Sequence, residues 1–229
     1  MDTENHKHSD LDYLIKPEIF KDRFWRTIRQ VASTDGIKHI LEIGSSSGEG
    51  STSAFVAGII ENLGSPILHC FEISRPRFVS LKKRFISYDF VHCYNDSTVS
   101  LERFLTETDV AEFHNHYRPK LRRASIKTQL QWLQQDIDYI EKHGFSSNGI
   151  QLLKADLGIT HFDVAMIDGS EFTAKAEMED VYGSEFLLLD DILTLKNHEN
   201  YLRLKDDSSY ELLEKSRWLR NGYAVFKKI

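Results

Sequence analysis

The fold of this chain is decided by the stretch Lys38-His-Ile-Leu-Glu-Ile-Gly-Ser-Ser-Ser-Gly-Glu-Gly-Ser51. A short apolar run ends at Glu42 and Gly44, a loop of small residues follows, and residues 52–63 have the pattern of a helix. A strand, a tight glycine turn and a helix present a ligand loop at the carboxyl edge of an open α/β sheet. Glycine lets the backbone approach a ligand closely, and the helix N-terminus offers unpaired N–H groups to a carboxylate or phosphate.

The glycine spacing in this loop differs from that of the dinucleotide-binding fingerprint. Read as G-x-G-x-x-G from Gly44, the second and third glycines would fall at Ser46 and Glu49. Read as E-x-G-x-x-x-G, with Glu42, Gly44 and Gly48, the stretch resembles motif I of the class I S-adenosylmethionine-dependent methyltransferases. The resemblance is closest to the metal-dependent catechol-type and antibiotic-tailoring O-methyltransferases. It implies a Rossmann-like, mostly parallel, doubly wound α/β sheet.

Length and composition fit one α/β domain with an elaboration. The chain has 229 residues, and we expect a flexible tail over residues 1–10 and a methyltransferase-like domain over residues 11–229. A formal net charge of -6 argues against a general nucleic-acid binder. The sequence has no run of about 18 apolar residues and no apolar signal core near its start, so no membrane association is expected.

The two cysteines favour a cytoplasmic protein. Cys70 and Cys93 both lie inside apolar, strand-like runs. Neighbouring parallel strands could bring them close together, but buried reduced thiols are the expected state.

Two further strand ends carry polar side chains. Residues 67–72 are predicted to form a second strand ending in Glu72, whose carboxylate can accept hydrogen bonds from both ribose hydroxyls. A third strand over residues 90–94 runs into a polar loop in which Asp96 and Ser97 could bind an adenine edge or cap the next helix. The resemblance implies a set of residues around S-adenosylmethionine: Glu42, Gly44, Ser45, Ser46, Gly48, Glu72, Asp96, Ser97 and Asp168.

The segment 106–148 is longer than this fold requires between its third and fourth strands. Its charge content and its long amphipathic pattern predict a helical insertion. It could cover the substrate, or it could form a contact between subunits of a homo-oligomer. Its basic cluster could bind an anionic substrate group or simply be solvated; the cluster comprises Arg118, Lys120, Arg122 and Arg123.

Three aspartates follow two adjacent predicted strands. Asp168 closes the fourth strand, and Asp190 with Asp191 closes the fifth. Carboxylates this close repel one another unless a cation lies among them or some are protonated. Oxygen ligands suit Mg²⁺, and the pattern resembles the metal triad of the catechol-type enzymes. The alternative is that Asp190 or Asp191 caps the next helix.

One position departs from the catechol-type pattern. Those enzymes place a lysine three residues after the aspartate of the fourth strand, and their antibiotic-tailoring relatives often place a histidine there. Here the position is Glu171, which could serve as base or as a further ligand beside Asp168. The expected reaction is therefore metal-assisted O-methylation of a hydroxylated small molecule, such as a sugar, a polyketide or another natural product.

Both ends of the domain carry further expectations. The periodicity of residues 14–32 predicts one helix starting at Pro17. Near the C-terminus only one strand is evident, over residues 223–227, while residues 201–204 and 210–213 look helical. A shortened sheet edge would permit a non-catalytic cofactor-binding module acting beside glycosyltransferase-type partners. A non-haem iron oxygenase is disfavoured because no histidine lies in the strand-end loops.

Overall fold

A seven-stranded sheet forms the centre of the protein in a computed structural model that describes residues 10–117, 124–145 and 147–229. The strand order is β3-β2-β1-β4-β5-β7-β6, and β7 alone runs antiparallel to β5 and to β6 within it. This arrangement confirms the predicted α/β class. The strands are β1 His39–Ile43, β2 Ile67–Phe71, β3 Val91–Tyr94, β4 Val164–Ile167, β5 Phe186–Asp190, β6 Tyr210–Ser216 and β7 Tyr223–Lys228.

Helices cover both faces of this sheet, as burial of a parallel sheet requires. Ser74 caps the third helix by accepting a hydrogen bond from the Arg77 N–H, and Pro76 lies in the first turn of that helix. The helices of the described residues are α1 Arg23–Ala32, α2 Ser51–Glu61, α3 Arg75–Arg84, α4 Glu107–His116, α5 Ile126–His143, α6 Gly149–Leu157, α7 Ala174–Val181 and α8 His198–Asp206.

Alternate residues of the central strands feed two separate cores. Ile40 and Met166 face α1 and α2, whereas Leu41 and Ile167 face α6, α7 and α8. Because both faces are covered, β4 and β5 are continuous apolar runs that are buried at every position. The strand ends are therefore fixed from both sides, which holds the loops that follow them in place.

The order in which the strands are added to the sheet reverses between β1 and β4. From β1 the chain builds outward to β2 and β3 on one side, and to β4 and β5 on the other. Ligands of open α/β sheets bind outside the carboxyl ends of the strands at this point. The loops that begin at Gly44 and Asp168 meet there.

The first helix is shorter than the sequence predicts. It begins at Arg23 rather than near residue 14, and Asp22 caps it by accepting a hydrogen bond from the Trp25 N–H. The preceding residues are not helical: Lys21 has a positive φ of 52° and Ile19 is buried against the motif I loop. The apolar residues before Arg23 therefore pack on a loop, so their spacing does not reflect a helix.

The C-terminal edge is complete, which corrects the prediction of a shortened sheet. Residues 210–216 form β6, paired antiparallel with β7, and not a helix. Leu212 and Glu214 alternate with more exposed neighbours along this edge strand. Sheet pairing has therefore overridden the helical propensity of this charged, leucine-containing segment.

The insertion is helical, as predicted. Its helices α4 and α5 enclose a third apolar cluster in which Phe113 and Leu133 pack against Phe172, which follows β4. The predicted basic cluster, residues 118–123, lies outside the described residues. Within the described chain, no helix combines the length and apolar character needed to cross a membrane.

Both cysteines are free. Cys70 is buried and Cys93 is half-buried, on neighbouring strands. The prediction that both thiols are buried holds for Cys70 and is wrong for Cys93, and their reduced state stays a prediction.

Candidate functional site

A cavity of about 410 Å³ opens at the carboxyl ends of the parallel strands. Its size is in the range typical of small-molecule sites. The loops after β1 to β5 supply its floor, the segment before α1 supplies one wall, and α5 supplies another. It brings together most of the predicted site residues: Gly44, Ser45, Ser46, Glu72, Asp96, Ser97, Asp168, Glu171, Asp190 and Asp191.

Close packing explains the glycine at the start of the motif I loop. Gly44 has a φ of +85°, and a Cβ there would lie 2.3 Å from the carbonyl oxygen of Asp168. A side chain would therefore separate the β1 and β4 loops, which together form the middle of the cavity floor.

Glu72 holds the motif I loop beside β2. Its Oε2 accepts a hydrogen bond from the Ser46 N–H, and its Oε1 accepts one from the Ser74 N–H, both at 2.7 Å. Burial raises the pKa of this carboxyl group, and the Ser74 N–H and Arg77 oppose that effect. Each carboxylate oxygen can accept a further hydrogen bond, and Glu72 lines the cavity, so the predicted ribose contact is chemically possible.

Two predicted binding residues lie behind the loop and do not line the cavity. Glu42 is fully buried, and its Oε2 accepts a hydrogen bond from the Thr52 hydroxyl at 2.7 Å. Gly48 faces α3, where a Cβ would lie 2.5 Å from the Phe85 ring. Both residues shape the loop from below, and their direct contact with a cofactor stays a prediction.

The polar loop after β3 is joined to the insertion. Asp96 accepts hydrogen bonds from its neighbour, the Ser97 N–H, and from the hydroxyl of Ser147. The Ser97 hydroxyl donates to the Val99 carbonyl at 2.6 Å. Both Asp96 and Ser97 line the cavity, and no α-helix begins at either of them.

The three predicted aspartates meet at the far end of the cavity. Asp168, Asp190 and Asp191 each offer a carboxylate oxygen within 4.8 Å of the others. Neither Asp190 nor Asp191 caps the next helix, since Asn197 occupies that position in α8.

A lysine lies inside this triad. The Nζ of Lys196 is 3.0 Å from Oδ1 of Asp168 and 2.9 Å from Oδ2 of Asp191. On the other side, Arg220 contacts Oδ1 of Asp190 at 3.2 Å. Two protein cations thus already accompany the three carboxylates.

Electrostatics keep the Lys196 ammonium charged. Burial alone would lower its pKa, but the carboxylates of Asp168, Asp191 and Glu171 raise it well above the usual value. Burial also opposes ionisation of Asp191, yet Lys196 outweighs it and lowers the pKa of that carboxyl. Burial and Asp191 raise the pKa of Asp190 to about 6, against the opposing effect of Arg220.

With Lys196 in place, the triad does not fit a divalent ion. Oxygen-only donors are the right chemistry for Mg²⁺, but the ammonium uses one oxygen of Asp168 and one of Asp191. A metal bound by all three aspartates would require Lys196 to leave. The buried Oδ1 of Asp191 has no hydrogen-bond partner among the described residues.

Glu171 lies beside the triad. Its Oε2 accepts a hydrogen bond from the backbone N–H of Lys196 at 2.9 Å. Burial raises its pKa, and Lys196 opposes the rise. A carboxylate with a raised pKa at the cavity wall is suited to accept a proton.

Sequence reasoning missed several residues of this site. Asp136 and Trp132 of α5 line the cavity, and Asp136 accepts a hydrogen bond from the Ser170 hydroxyl. Ile15 reaches the cavity from the non-helical segment before α1. Lys196 gave no signal, because an isolated lysine five residues after an aspartate pair is common on protein surfaces. The sequence predicted the helical insertion and a possible position over the substrate, but not which residues of α5 line the cavity.

Solved structures with a similar fold include methyltransferases. A methyltransferase from Geobacter sulfurreducens matches with a TM-score of 0.54 and 9% identity, over 93% of this chain and 81% of that chain. An O-methyltransferase from Bacillus cereus, solved in complex with SAH, matches with a TM-score of 0.51 and 10% identity, over 90% of this chain and 80% of that chain. This is the class I methyltransferase fold. No protein-family model and no curated protein sequence matches this chain.

The class I methyltransferase fold accounts for the strand order and for the position of the cavity. Motif I, which carried the resemblance in the sequence, follows β1 and lies at the switch point of the sheet. At this level of identity the comparison identifies the fold, and the chemistry depends on the side chains of this chain.

Proposed function

We propose that this chain is an S-adenosylmethionine-dependent methyltransferase that methylates a hydroxyl of a small molecule. One observation carries the proposal: the cavity joins the Gly44–Ser46 loop and the Glu72 carboxylate to the acidic strand ends at Asp168 and Asp191. The first set suits a nucleoside with an attached amino acid, and the second suits a hydroxyl donor. SAH in the structurally similar Bacillus cereus protein supports the cofactor class.

Each part of the cavity has a proposed role toward the cofactor. Glu72 would bind the ribose hydroxyls, and the loop at Asp96 and Ser97 would lie along the adenine. The backbone of Ser45 and Ser46 would approach the cofactor where a larger side chain is excluded. When bound, S-adenosylmethionine supplies a methyl group on a positively charged sulfur.

The chain's own contribution is to hold the acceptor and take its proton. The acceptor hydroxyl would lie beside the carboxylates of Asp168 and Asp191. Glu171, whose pKa is raised by burial, would receive the hydroxyl proton. Much of the rate of such a reaction comes from alignment of the reacting atoms.

The acceptor class follows from the cavity walls. Trp132, Phe104 and Phe172 supply apolar and aromatic surface, while Asp136 adds one buried carboxyl. We propose an acceptor with a flat or apolar body and a hydroxyl, such as a polyketide or another natural product. This small molecule would be the substrate partner, and the net negative charge of the chain argues against nucleic acid.

Metal assistance stays a prediction, with Asp168, Asp190 and Asp191 as its ligands and Mg²⁺ as the expected ion. Because Lys196 uses two of the three carboxylates, no step of the proposed reaction depends on a metal. The non-catalytic alternative was based partly on a predicted shortened sheet edge. Because β6 pairs with β7 and completes that edge, this argument no longer supports it.

Calorimetric titration with SAH tests the cofactor site. The wild type should bind SAH with a one-to-one ratio and show no binding of NAD. Glu72→Gln should weaken SAH binding by at least about tenfold, because loss of a charged hydrogen-bond acceptor removes about 1.5–3 kcal/mol. Glu102→Gln, which changes an exposed glutamate outside the cavity, is the matched control. If the wild type does not bind SAH, the proposal is wrong.

A further inference from the structure

Lys196 is built into the acidic triad. Its side chain is only 9% exposed, and its Nζ lies 3.0 Å from Asp168 and 2.9 Å from Asp191. It comes from the segment between β5 and α8, so it bridges the ends of two neighbouring strands. An ammonium has three N–H donors, and these two contacts leave one for an acceptor oxygen.

The backbone on both sides of this lysine is fixed. Leu195 is buried in the apolar cluster of the insertion. The buried Asn197 amide donates to the carbonyl oxygens of Ile167 and Asp190, at 3.0 and 2.8 Å. The Lys196 N–H donates to Glu171. These contacts distinguish Lys196 from a surface lysine that meets a carboxylate by chance.

We propose that the Lys196 ammonium is the resident cation of the Asp168–Asp190–Asp191 triad and replaces a divalent metal ion there. Three carboxylates within 4.8 Å of one another repel one another unless some are protonated or positive charge lies between them. Lys196 supplies it for Asp168 and Asp191, and Arg220 supplies it for Asp190. Binding of a divalent ion and the inward position of Lys196 therefore exclude each other.

Lys196 also compensates for the departure at residue 171. The position at which catechol-type enzymes carry a lysine is Glu171 here, and the structure places a lysine at the same edge from the loop after β5. In the proposed function, on which this role rests, the ammonium orients an acceptor oxygen by its remaining N–H. Lys196 is thus a binding residue for the acceptor.

Manganese binding tests the replacement directly and requires no turnover. Free Mn²⁺ is measured by electron paramagnetic resonance during titration of the wild type, of Lys196→Met and of Lys196→Met with Asp168→Asn. Methionine keeps much of the lysine's length without its charge. We expect no saturable site in the wild type at submillimolar Mn²⁺. Lys196→Met should bind one ion, with affinity raised by roughly ten- to hundredfold over the wild type, and Asp168→Asn should remove that site.

Two results would overturn this role of Lys196. One is a wild type that binds one Mn²⁺ tightly and loses it in the single variant Asp168→Asn, titrated alongside. The other is a Lys196→Met variant that folds, as judged by a cooperative unfolding transition in urea, and takes up no ion. Should that variant not fold, the wild-type titration alone decides. Failure of the wild type to bind SAH would refute the proposed function and leave the Mn²⁺ result to be judged separately.

Discussion

At the scale of single residues, the site depends on close approaches as much as on charges. Gly44 allows the β1 loop to touch the backbone after β4, and Glu72 ties the same loop to β2. In the sequence, motif I indicated Gly44, and the end of the second predicted strand indicated Glu72. The contacts they make come from strand neighbours that are distant in sequence, and so could not be derived from the motif.

Gly44→Ala should separate backbone strain from steric clash. Gly44 and Gly144 both have positive φ, +85° and +70°, but only Gly44 has backbone atoms within 3 Å of a new Cβ. Gly144→Ala should lower the free energy of unfolding only by the cost of holding alanine in the left-handed backbone conformation, roughly 1–2 kcal/mol. Gly44→Ala should lower the free energy of unfolding by more than this, and it should also abolish SAH binding. Urea unfolding measures the difference, and equal losses would contradict the clash.

The buried carboxyl of Asp136 should make stability depend on pH. Burial raises its pKa to about 6, and the Ser170 hydroxyl and Arg77 oppose the rise. The native state therefore holds this proton more tightly than the unfolded chain, so stability is lost as pH rises from about 4 to above 6. Relative to the wild type, Asp136→Asn should gain up to about 3 kcal/mol at pH 8 and little at pH 4.

Denaturant unfolding at the two pH values measures this effect. Asp138→Asn, on the same helix with an exposed carboxylate, is the matched control because its carboxylate is not transferred from water on folding. A constant difference between Asp136→Asn and wild type at both pH values would show that Asp136 is solvated in the folded protein.

At the scale of secondary structure, periodicity succeeded where one core decided the pattern. The central strands were placed to within about two residues because their apolar runs are buried on both faces. Periodicity gave wrong predictions for two segments, the one before α1 and β6. The segment before α1 packs on a loop, and β6 is an edge strand paired with β7; the local sequence indicates neither partner.

The insertion also stabilises the cofactor side of the fold. The Tyr139 hydroxyl of α5 accepts a hydrogen bond from the Arg75 N–H at the start of α3, at 3.0 Å. This contact joins the insertion to the turn that follows Glu72. The length of the segment predicted an insertion, whereas the contact depends on the path the chain takes between the helices.

Tyr139→Phe should therefore lower the free energy of unfolding by about 1 kcal/mol, the typical net value of a hydrogen bond. Tyr88→Phe is the matched control, since the Tyr88 hydroxyl makes no hydrogen bond within the described residues. Equilibrium unfolding in urea provides the comparison. If both variants were equally stable, α5 would not support α3 through this contact.

At the scale of the whole molecule, residues that bind one ligand come from almost the entire chain. Motif I, β2, β3, β4, β5, the segment before α1 and α5 all line one cavity. Several apolar residues of the insertion, among them Phe113 and Leu133, pack on their own domain, whereas Ile126 and Trp132 are exposed. A homo-oligomer through residues 106–148 stays a prediction, which the solution mass can test against the 26.6 kDa of one chain.

A ligand held by so many segments should stabilise the fold as a unit. At 100 times its dissociation constant, SAH adds about 2.7 kcal/mol to the free energy of unfolding. For a domain of this size that corresponds to a rise of roughly 5–10 °C in Tm. Scanning calorimetry should show one transition that moves with SAH and does not move with NAD. Gly44→Ala should show no shift, because its cavity floor is displaced. Two transitions, with only one responding to SAH, would mean that the insertion folds apart from the sheet and takes no part in holding the ligand.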